Sequence, residues 1–175
     1  LPINGKVPGN IVLKEHMDLE GNESVVVVSN KTDMRMNGRD VLKIRPRNLI
    51  LGIGCKRGTT VEDIVTAVND FLARNQRSIL SLGTVATIDI KENEQGLLDY
   101  SRYKKIPLKL IQSDRIREVE DQYTSSGFVK ANVGVSSVAE PCAVLAGKNA
   151  RLICKKTIYH GITLALAEEE KVFKL

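Results

Sequence analysis

The spacing of hydrophobic and polar residues divides the chain into two parts. Over the first 48 residues, short apolar runs at 25–28 and 41–44 alternate with turn dipeptides such as Asn4-Gly5, a pattern typical of short strands. We interpret residues 1–48 as the tail of a β-rich middle or linker region. Residues 49–175 form the second part, which we interpret as an α/β domain.

From residue 49 onward the pattern alternates between strands and helices. Residues 49–53 form a continuous apolar run of the buried-strand type, and residues 60–74 carry apolar side chains at helical spacing. Further strands are predicted at 85–90, 108–111, 150–156 and 161–167, and further helices at 94–103, at 114–120 with Ser113 as N-cap, and from 138 or 141 to 146. The order predicts a three-layer α/β sandwich with a mixed β-sheet. The serine- and glycine-rich segment 125–137 is predicted to be a long loop.

Composition narrows the class of protein. No apolar run reaches the roughly 18 to 20 residues that cross a bilayer, and aromatic residues make up only 4% of the chain, which argues against base-stacking recognition of nucleic acid. The formal net charge of +5 permits a nucleic-acid, membrane-surface or polycarboxylate partner without selecting among them. Three cysteines without CxxC spacing argue against a disulfide framework or a zinc site and favour the cytoplasm. Because the chain opens on Leu1-Pro2, we expect it to be a piece of a longer protein.

The glycine-rich segment Gly52-Ile53-Gly54-Cys55-Lys56-Arg57-Gly58 lies between a predicted strand and a predicted helix. It departs from the dinucleotide fingerprint because the third glycine comes one residue late, and from the P-loop because Arg57 follows Lys56. Two interpretations stay open. In the first, the backbone N–H groups of the segment and the helix start near Thr60 form an anion site together with Lys56 and Arg57. In the second, the glycines only make a tight turn, and the two cations are exposed to solvent. Thr59 and Glu62 have the spacing of a capping box.

A second glycine- and serine-rich turn precedes the last predicted helix. Ser137 and Glu140 have the spacing of a capping box, which would be a structural role. Alternatively Pro141 is the first helical residue, and Glu140 is free as a general acid or base.

Charged residues also follow the predicted strand at 85–90. Lys91 and Glu94 lie where α/β proteins place ligand contacts, although an exposed turn would also carry such charges. Cys55 is either a nucleophile in an electropositive turn or a small buried residue. His16 and His160 are interpreted as structural or surface residues.

Three segments together resemble a known family. They are IRPRNLILGIGCKRG (44–58), ATIDIK (86–91) with Glu94, and GVSSVAEP (134–141). In order and spacing they look like the carboxy-terminal domain of CbiG, the cobalt-precorrin-5A hydrolase of anaerobic cobalamin biosynthesis, which CobE shares. The resemblance covers about residues 41–175.

This resemblance implies a hydrolase that opens the δ-lactone of a cobalt corrinoid, cobalt-precorrin-5A, and releases acetaldehyde to give cobalt-precorrin-5B. A non-catalytic corrinoid-binding module is the alternative. No cofactor is expected, since the cobalt is carried by the substrate. The other expected partners are a missing amino-terminal domain of the same protein and, as the sequence allows, a second copy in a homo-oligomer, but neither nucleic acid nor a membrane.

The site residues expected from this chemistry fall into two groups. The catalytic candidates are Glu140 first and Glu94 second, with Lys91 as an oxyanion or carboxylate partner. The candidates for binding the substrate carboxylates are Gly52, Gly54, Cys55, Lys56, Arg57, Thr59, Thr60, Ser136 and Ser137.

Overall fold

The computed structural model describes residues 3–4, 12, 24–32, 41–119, 122–123, 138–170 and 173–174. The strands within these ranges are β1 (Ile3–Asn4), β2 (Val25–Val28), β3 (Val41–Ile44), β4 (Leu49–Cys55), β5 (Leu82–Ile88), β6 (Leu108–Ile111), β7 (Arg151–Tyr159), β8 (Ile162–Glu168) and β9 (Phe173–Lys174). The α-helices are α1 (Val61–Arg74), α2 (Gln95–Lys104), α3 (Ser113–Arg117) and α4 (Ala139–Leu145). Short 3-10 turns at Ile79–Ser81 and Asp89–Lys91 flank β5. The predicted loop at 125–137 lies outside the described residues.

The central sheet has five strands in the order β6-β5-β4-β8-β7. β4, β5 and β6 are parallel, while β8 is antiparallel to both of its neighbours. The predicted mixed α/β sheet is therefore confirmed. The carboxyl ends of the three parallel strands lie at the same edge as the turn between β7 and β8, and we call this edge the carboxyl edge.

Both faces of the sheet are covered, because its central strands are apolar on both sides. One buried cluster joins α1 and α2 to alternate strand residues such as Leu51, Ile53 and Leu164. The other joins α3 and α4 to the intervening residues, among them Ile50 and Ala167. This alternation, with a period of two residues, produces the predicted three layers.

The amino-terminal strands β2 and β3 pair in parallel, four residues each, as their valine- and isoleucine-rich runs indicated. The residues after β2 are attached to the α/β domain. Asn30 donates through Nδ2 to Glu168 Oε1 over 2.7 Å, and its carbonyl accepts from the Ser78 N–H over 2.8 Å. Asn48 Nδ2 donates to the same Glu168 oxygen over 3.1 Å. Arg151 donates to the other Glu168 oxygen over 3.0 Å.

Several element boundaries differ from the sequence prediction. β4 continues to Cys55, so Gly52 and Gly54 lie within a strand and not in the predicted turn. The N-cap of α1 is Thr60, whose hydroxyl accepts from the Asp63 N–H, so the predicted capping box of Thr59 and Glu62 is wrong. A Thr-x-x-acid spacing occurs in two overlapping registers here, and the structure uses the later one.

Candidate ligand site at the carboxyl edge

The turn between β4 and α1 occupies the centre of the carboxyl edge. It bends at Gly58, whose φ of +76° is in the left-handed region that favours glycine. The Lys56 N–H donates to the Gly161 carbonyl over 3.2 Å, which joins this turn to the turn between β7 and β8. Thr59 Oγ1 donates to the Lys56 carbonyl over 2.8 Å. The predicted glycine-rich turn therefore exists, but it spans residues 56–60.

The N–H group of Gly58, in this turn, is hydrogen-bonded to a carboxylate of the same chain. The Gly58 N–H donates to Glu94 Oε1 over 2.8 Å, and Lys91 Nζ lies 3.1 Å from Glu94 Oε2. The two charged side chains are only 19% and 8% exposed, respectively. The structure thus brings Lys91 and Glu94, which the sequence identified together, into contact with the glycine-rich turn.

Close packing fixes the backbone next to Glu94. It precedes α2, where Gly96 approaches the turn so closely that a Cβ atom there would lie 2.1 Å from the carbonyl oxygen of Thr59. Such a distance leaves no room for a side chain, because real Cβ contacts lie well beyond it. The start of α2 and the turn after β4 therefore form one packed unit.

Cys55 ends β4 beside the Lys91 and Glu94 pair. Burial raises the pKa of its thiol, the Glu94 carboxylate raises it further, and Lys91 and the Thr59 hydroxyl lower it in part. The thiol is therefore protonated at neutral pH, which disfavours the interpretation of Cys55 as an activated nucleophile. It is a half-buried residue that packs against the larger cluster.

Two exposed cations flank this unit. Lys56 and Arg57 are both exposed at the turn. The stem of Lys56 lies over Gly161, where a Cβ atom would meet its Cδ and Cε atoms at 2.9 Å. His160, also exposed and with a φ of +43°, is in the same β7 to β8 turn. The sequence predicted a structural or surface residue at His160, but the pairing that brings it beside residue 56 is not visible in the sequence.

Asp89 is a second carboxylate at this edge. It follows β5 and accepts from the Ser113 N–H over 3.1 Å and from the Ser113 hydroxyl, at the start of α3. Burial tends to raise the pKa of Asp89, but the hydrogen bonds from Ser113 and Ile90 lower it overall. Ser113 was predicted to be the N-cap of α3, but the N-cap is Gln112 and Ser113 is the first residue of the helix. Asp89 therefore joins β5 to α3 as an ionised group.

Glu140 lies on the other face of the sheet from Glu94. It is 1% exposed in the first turn of α4, and its Oε1 accepts from the Lys156 N–H of β7 over 3.0 Å. The N-cap of α4 is Val138, and Pro141 is the third helical residue, so neither predicted arrangement of this helix start is observed. Ser136 and Ser137 lie outside the described residues.

The two strand glycines differ in their surroundings. A Cβ atom at Gly52 would lie 1.8 Å from the carbonyl oxygen of Ala139, so α4 packs directly on this residue. Gly52 is therefore buried under α4 and has a packing role. At Gly54 the nearest atoms, those of Val138 and Thr163, are 3.7 Å or more away.

The described residues offer neither a metal site nor a membrane-spanning helix. Among residues whose placement is described, no group of three or more His, Cys, Asp and Glu side chains could hold a metal ion. No helix in the described ranges is long and apolar enough to cross a membrane.

Comparison with known proteins gives a consistent family. Residues 49–167 match the family model described as Cobalamin synthesis G C-terminus. The chain is 28% identical over 144 residues to the cobalt-precorrin-5A hydrolase of Salmonella typhimurium, covering 82% of this chain and 41% of that protein. It is also 28% identical over 168 residues to the cobalt-precorrin-5A hydrolase of Priestia megaterium, covering 91% of this chain and 45% of that protein.

Among solved structures, CobE, from the cobalamin (vitamin B12) biosynthetic pathway, has a TM-score of 0.65 and 28% identity. The match covers 70% of this chain and 91% of CobE. The chain spans less than half the length of the two hydrolases, at 41% and 45%. The match to the family model nevertheless covers more than half of this chain. The chain therefore belongs to the CbiG carboxy-terminal domain family of cobalamin synthesis.

Proposed function

We propose that this chain takes part in cobalamin biosynthesis as a cobalt-precorrin-5A hydrolase, which opens the δ-lactone of that corrinoid and releases acetaldehyde. The observation that carries this proposal is the partly buried Lys91 and Glu94 pair joined to the Gly58 N–H at the carboxyl edge. Ligands of open α/β sheets bind outside the carboxyl ends of the strands. The relatives named above carry this activity in their names.

The reaction consists of two proton-dependent steps. In the first, water adds to the lactone carbonyl, the ring C–O bond breaks, and the departing oxygen takes a proton, which gives a hydroxy acid. In the second, the new hydroxyl loses its proton, and the bond between its carbon and the macrocycle breaks. Acetaldehyde then leaves and the macrocycle keeps the electron pair. Both steps need a positioned base and stabilisation of a developing oxyanion.

We assign these roles first to Glu94 and Lys91. Glu94, the carboxylate paired with Lys91 at the carboxyl edge, can accept the proton of the attacking water. The Lys91 ammonium can stabilise the oxyanion or pair with a carboxylate of the substrate. Lys56 and Arg57, exposed beside this pair, would attract the acetate and propionate carboxylates of the corrinoid rim. Glu140, the first catalytic candidate from the sequence, stays a prediction as a general acid or base and is placed second here because it is only 1% exposed.

The reaction requires no resident cofactor in this proposal, because cobalt arrives within the substrate. The free thiols of Cys55, Cys142 and Cys154 suit a reducing compartment, and we therefore propose the cytoplasm. The longer relatives suggest a further, amino-terminal domain as a partner, and self-association into a homo-oligomer is part of the same proposal.

The test is an acetaldehyde assay with cobalt-precorrin-5A, coupled to NADH oxidation by alcohol dehydrogenase. Glu94→Gln should lower turnover at least 100-fold, the usual contribution of a general base, with corrinoid binding retained. Glu92→Gln is the matched control, because Glu92 is an exposed carboxylate of the same turn. Glu140→Gln in the same assay tests the second assignment.

The alternative is a corrinoid-binding module without catalysis. Binding of the substrate without acetaldehyde release, by this chain and by a longer form that includes an amino-terminal domain, would establish that alternative. Equal turnover of Glu94→Gln and the unmodified chain would refute the assignment of Glu94.

A further inference from the structure

The turn between β4 and α1 has the parts of a carboxylate-binding site, yet its occupant belongs to the protein. The Gly58 N–H and the Lys91 ammonium each contact one oxygen of the Glu94 carboxylate, at 2.8 and 3.1 Å. One donor is a backbone group fixed by a left-handed glycine, and the other is a charge only 19% exposed. Two such donors placed on the two oxygens of one carboxylate form a small, pre-organised anion site.

We propose that Glu94 is an internal stand-in for a carboxylate of the substrate, and that an acetate or propionate group of the corrinoid displaces it from Gly58 and Lys91. We call the position between these two donors the carboxylate seat. The inference rests on the proposed function for the identity of the ligand, but the seat itself rests on the contacts of Glu94.

The surroundings of the seat favour exchange over a purely structural ion pair. Lys91 lies in the 3-10 turn that follows β5 at the carboxyl edge. Gly58 lies at an exposed turn, where a Cβ atom added to the glycine would have no other atom within 4 Å. The side of the turn on which a Gly58 side chain would lie is therefore open to solvent, and a carboxylate reaches the Gly58 N–H once the Glu94 side chain, 8% exposed, has moved away. Lys56 and Arg57 on the same turn attract it to this place.

Exchange also gives Glu94 its role in the proposed reaction. While both of its oxygens are held, the carboxylate faces the protein and not a substrate. When a substrate carboxylate takes the seat, charge balance at Lys91 is preserved, and Glu94 becomes available beside the bound corrinoid. The base is thus released only when a ligand of the right charge is present, which is a form of substrate-driven specificity.

The first experiment removes the stand-in. Glu94→Ala deletes a CH2–COO⁻ unit, which has the size and charge of acetate, and leaves both donors without it. Sodium acetate should then bind, with a saturable shift of the Gly58 amide resonance and a rise in Tm that sodium chloride at equal ionic strength does not produce. The unmodified chain and the control Glu92→Ala should not respond. Adding Lys91→Ala to Glu94→Ala should weaken acetate binding at least tenfold.

The second experiment uses a stable cobalt corrinoid polycarboxylate and its neutral methyl ester. The free acid should shift the Gly58 amide of the unmodified chain, and the ester should not. Glu94→Ala should bind the free acid at least tenfold more tightly, since a seat that is open for a tenth of the time or less lowers the apparent affinity by that factor.

The outcomes separate the two proposals. Acetate binding by Glu94→Ala, together with no acetaldehyde release by the unmodified chain or by a longer form that includes an amino-terminal domain, supports the seat and refutes the hydrolase. Acetaldehyde release by the unmodified chain, with no gain of acetate or corrinoid affinity in Glu94→Ala, refutes the seat. If Glu94→Ala does not fold, equal effects of the free acid and the ester on the Gly58 amide of the unmodified chain refute it instead.

Discussion

Gly52 and Gly54 provide a matched pair of substitutions in one strand. Both lie in β4, and neither has a positive φ, so alanine fits the backbone at either position. Their surroundings differ. A Cβ atom at Gly52 would lie 1.8 Å from the Ala139 carbonyl oxygen and 2.9 Å from the Ala143 Cβ. At Gly54 the nearest atom, the Val138 Cβ, is 3.7 Å away.

The expected loss of stability depends on which atoms must move to make room for the new Cβ atom. Gly52→Ala requires the Ala139 carbonyl to withdraw by roughly 1.5 Å to reach ordinary van der Waals contact. That atom belongs to the backbone of α4, which is packed against the sheet through Cys142 and Ala143. The substitution should therefore cost about 3 kcal/mol, the upper part of the range for overpacked cores. Gly54→Ala should change stability by no more than about 0.5 kcal/mol, or raise it through the lower entropy of the unfolded chain.

Urea denaturation followed by circular dichroism measures both variants against the unmodified chain. Gly52→Ala should shift the midpoint of unfolding to a lower urea concentration, while the dependence of the unfolding free energy on urea concentration stays unchanged. Its Tm should fall by about 6 to 12 °C, because a chain of this size loses roughly 2 to 4 °C per kcal/mol. Gly54→Ala is the internal control for β propensity in the same strand. Equal losses in the two variants would show that α4 does not pack on Gly52 as described.

Three other changes have defined outcomes. Burial opposes ionisation of Glu168, but the hydrogen bonds from Arg151 and the two asparagines lower its pKa below the ordinary 4.5. The stability that these contacts contribute is therefore present above pH 4.5 and is lost as the pH falls through the folded-state pKa. Glu168→Gln should make the free energy of unfolding less dependent on pH in urea titrations between about pH 6 and pH 3. Cys142 should be the last of the three thiols to react with a disulfide reagent, at the rate of global unfolding, because burial above all raises its pKa; fast reaction in the native state would contradict its burial. Gly96→Ala should destabilise by about 2 kcal/mol, as its Cβ would lie 2.1 Å from the Thr59 oxygen; a neutral result would mean that α2 does not pack on the turn.

The sequence predicted those parts of the fold that depend on local spacing. The apolar run beginning at Leu49 and the helical spacing after Thr60 both appear as predicted, because a strand buried on both faces and an amphipathic helix have distinct periods. The mixed character of the sheet followed from the order of elements. Boundaries were less accurate, since caps depend on which of several neighbouring side chains reaches an N–H group.

Non-local contacts explain what could not be predicted. Gly52 was assigned to a turn because glycine is commonest there, yet its neighbour is Ala139, which lies 87 positions later (139 − 52). Likewise, Glu94 was identified as a catalytic candidate and Gly58 only as part of the glycine-rich segment, and nothing in their 36-residue separation indicates a hydrogen bond. The turn that was expected to bind an anion therefore holds a carboxylate of its own chain.

The two candidate carboxylates share a structural arrangement on opposite faces of the sheet. Glu94 precedes α2, whose Gly96 packs against the carbonyl oxygen of Thr59. Glu140 lies at the start of α4, whose Ala139 carbonyl oxygen packs against Gly52. In both cases an absent side chain lets a helix start come within contact of the backbone and so fixes the position of a carboxylate. Because the two contacts are separate, Gly96→Ala should displace Glu94 and leave Glu140 in place, while Gly52→Ala should do the reverse. Comparing acetaldehyde release by these two variants at temperatures where both remain folded therefore identifies the carboxylate on which the chemistry depends, without altering either acid itself.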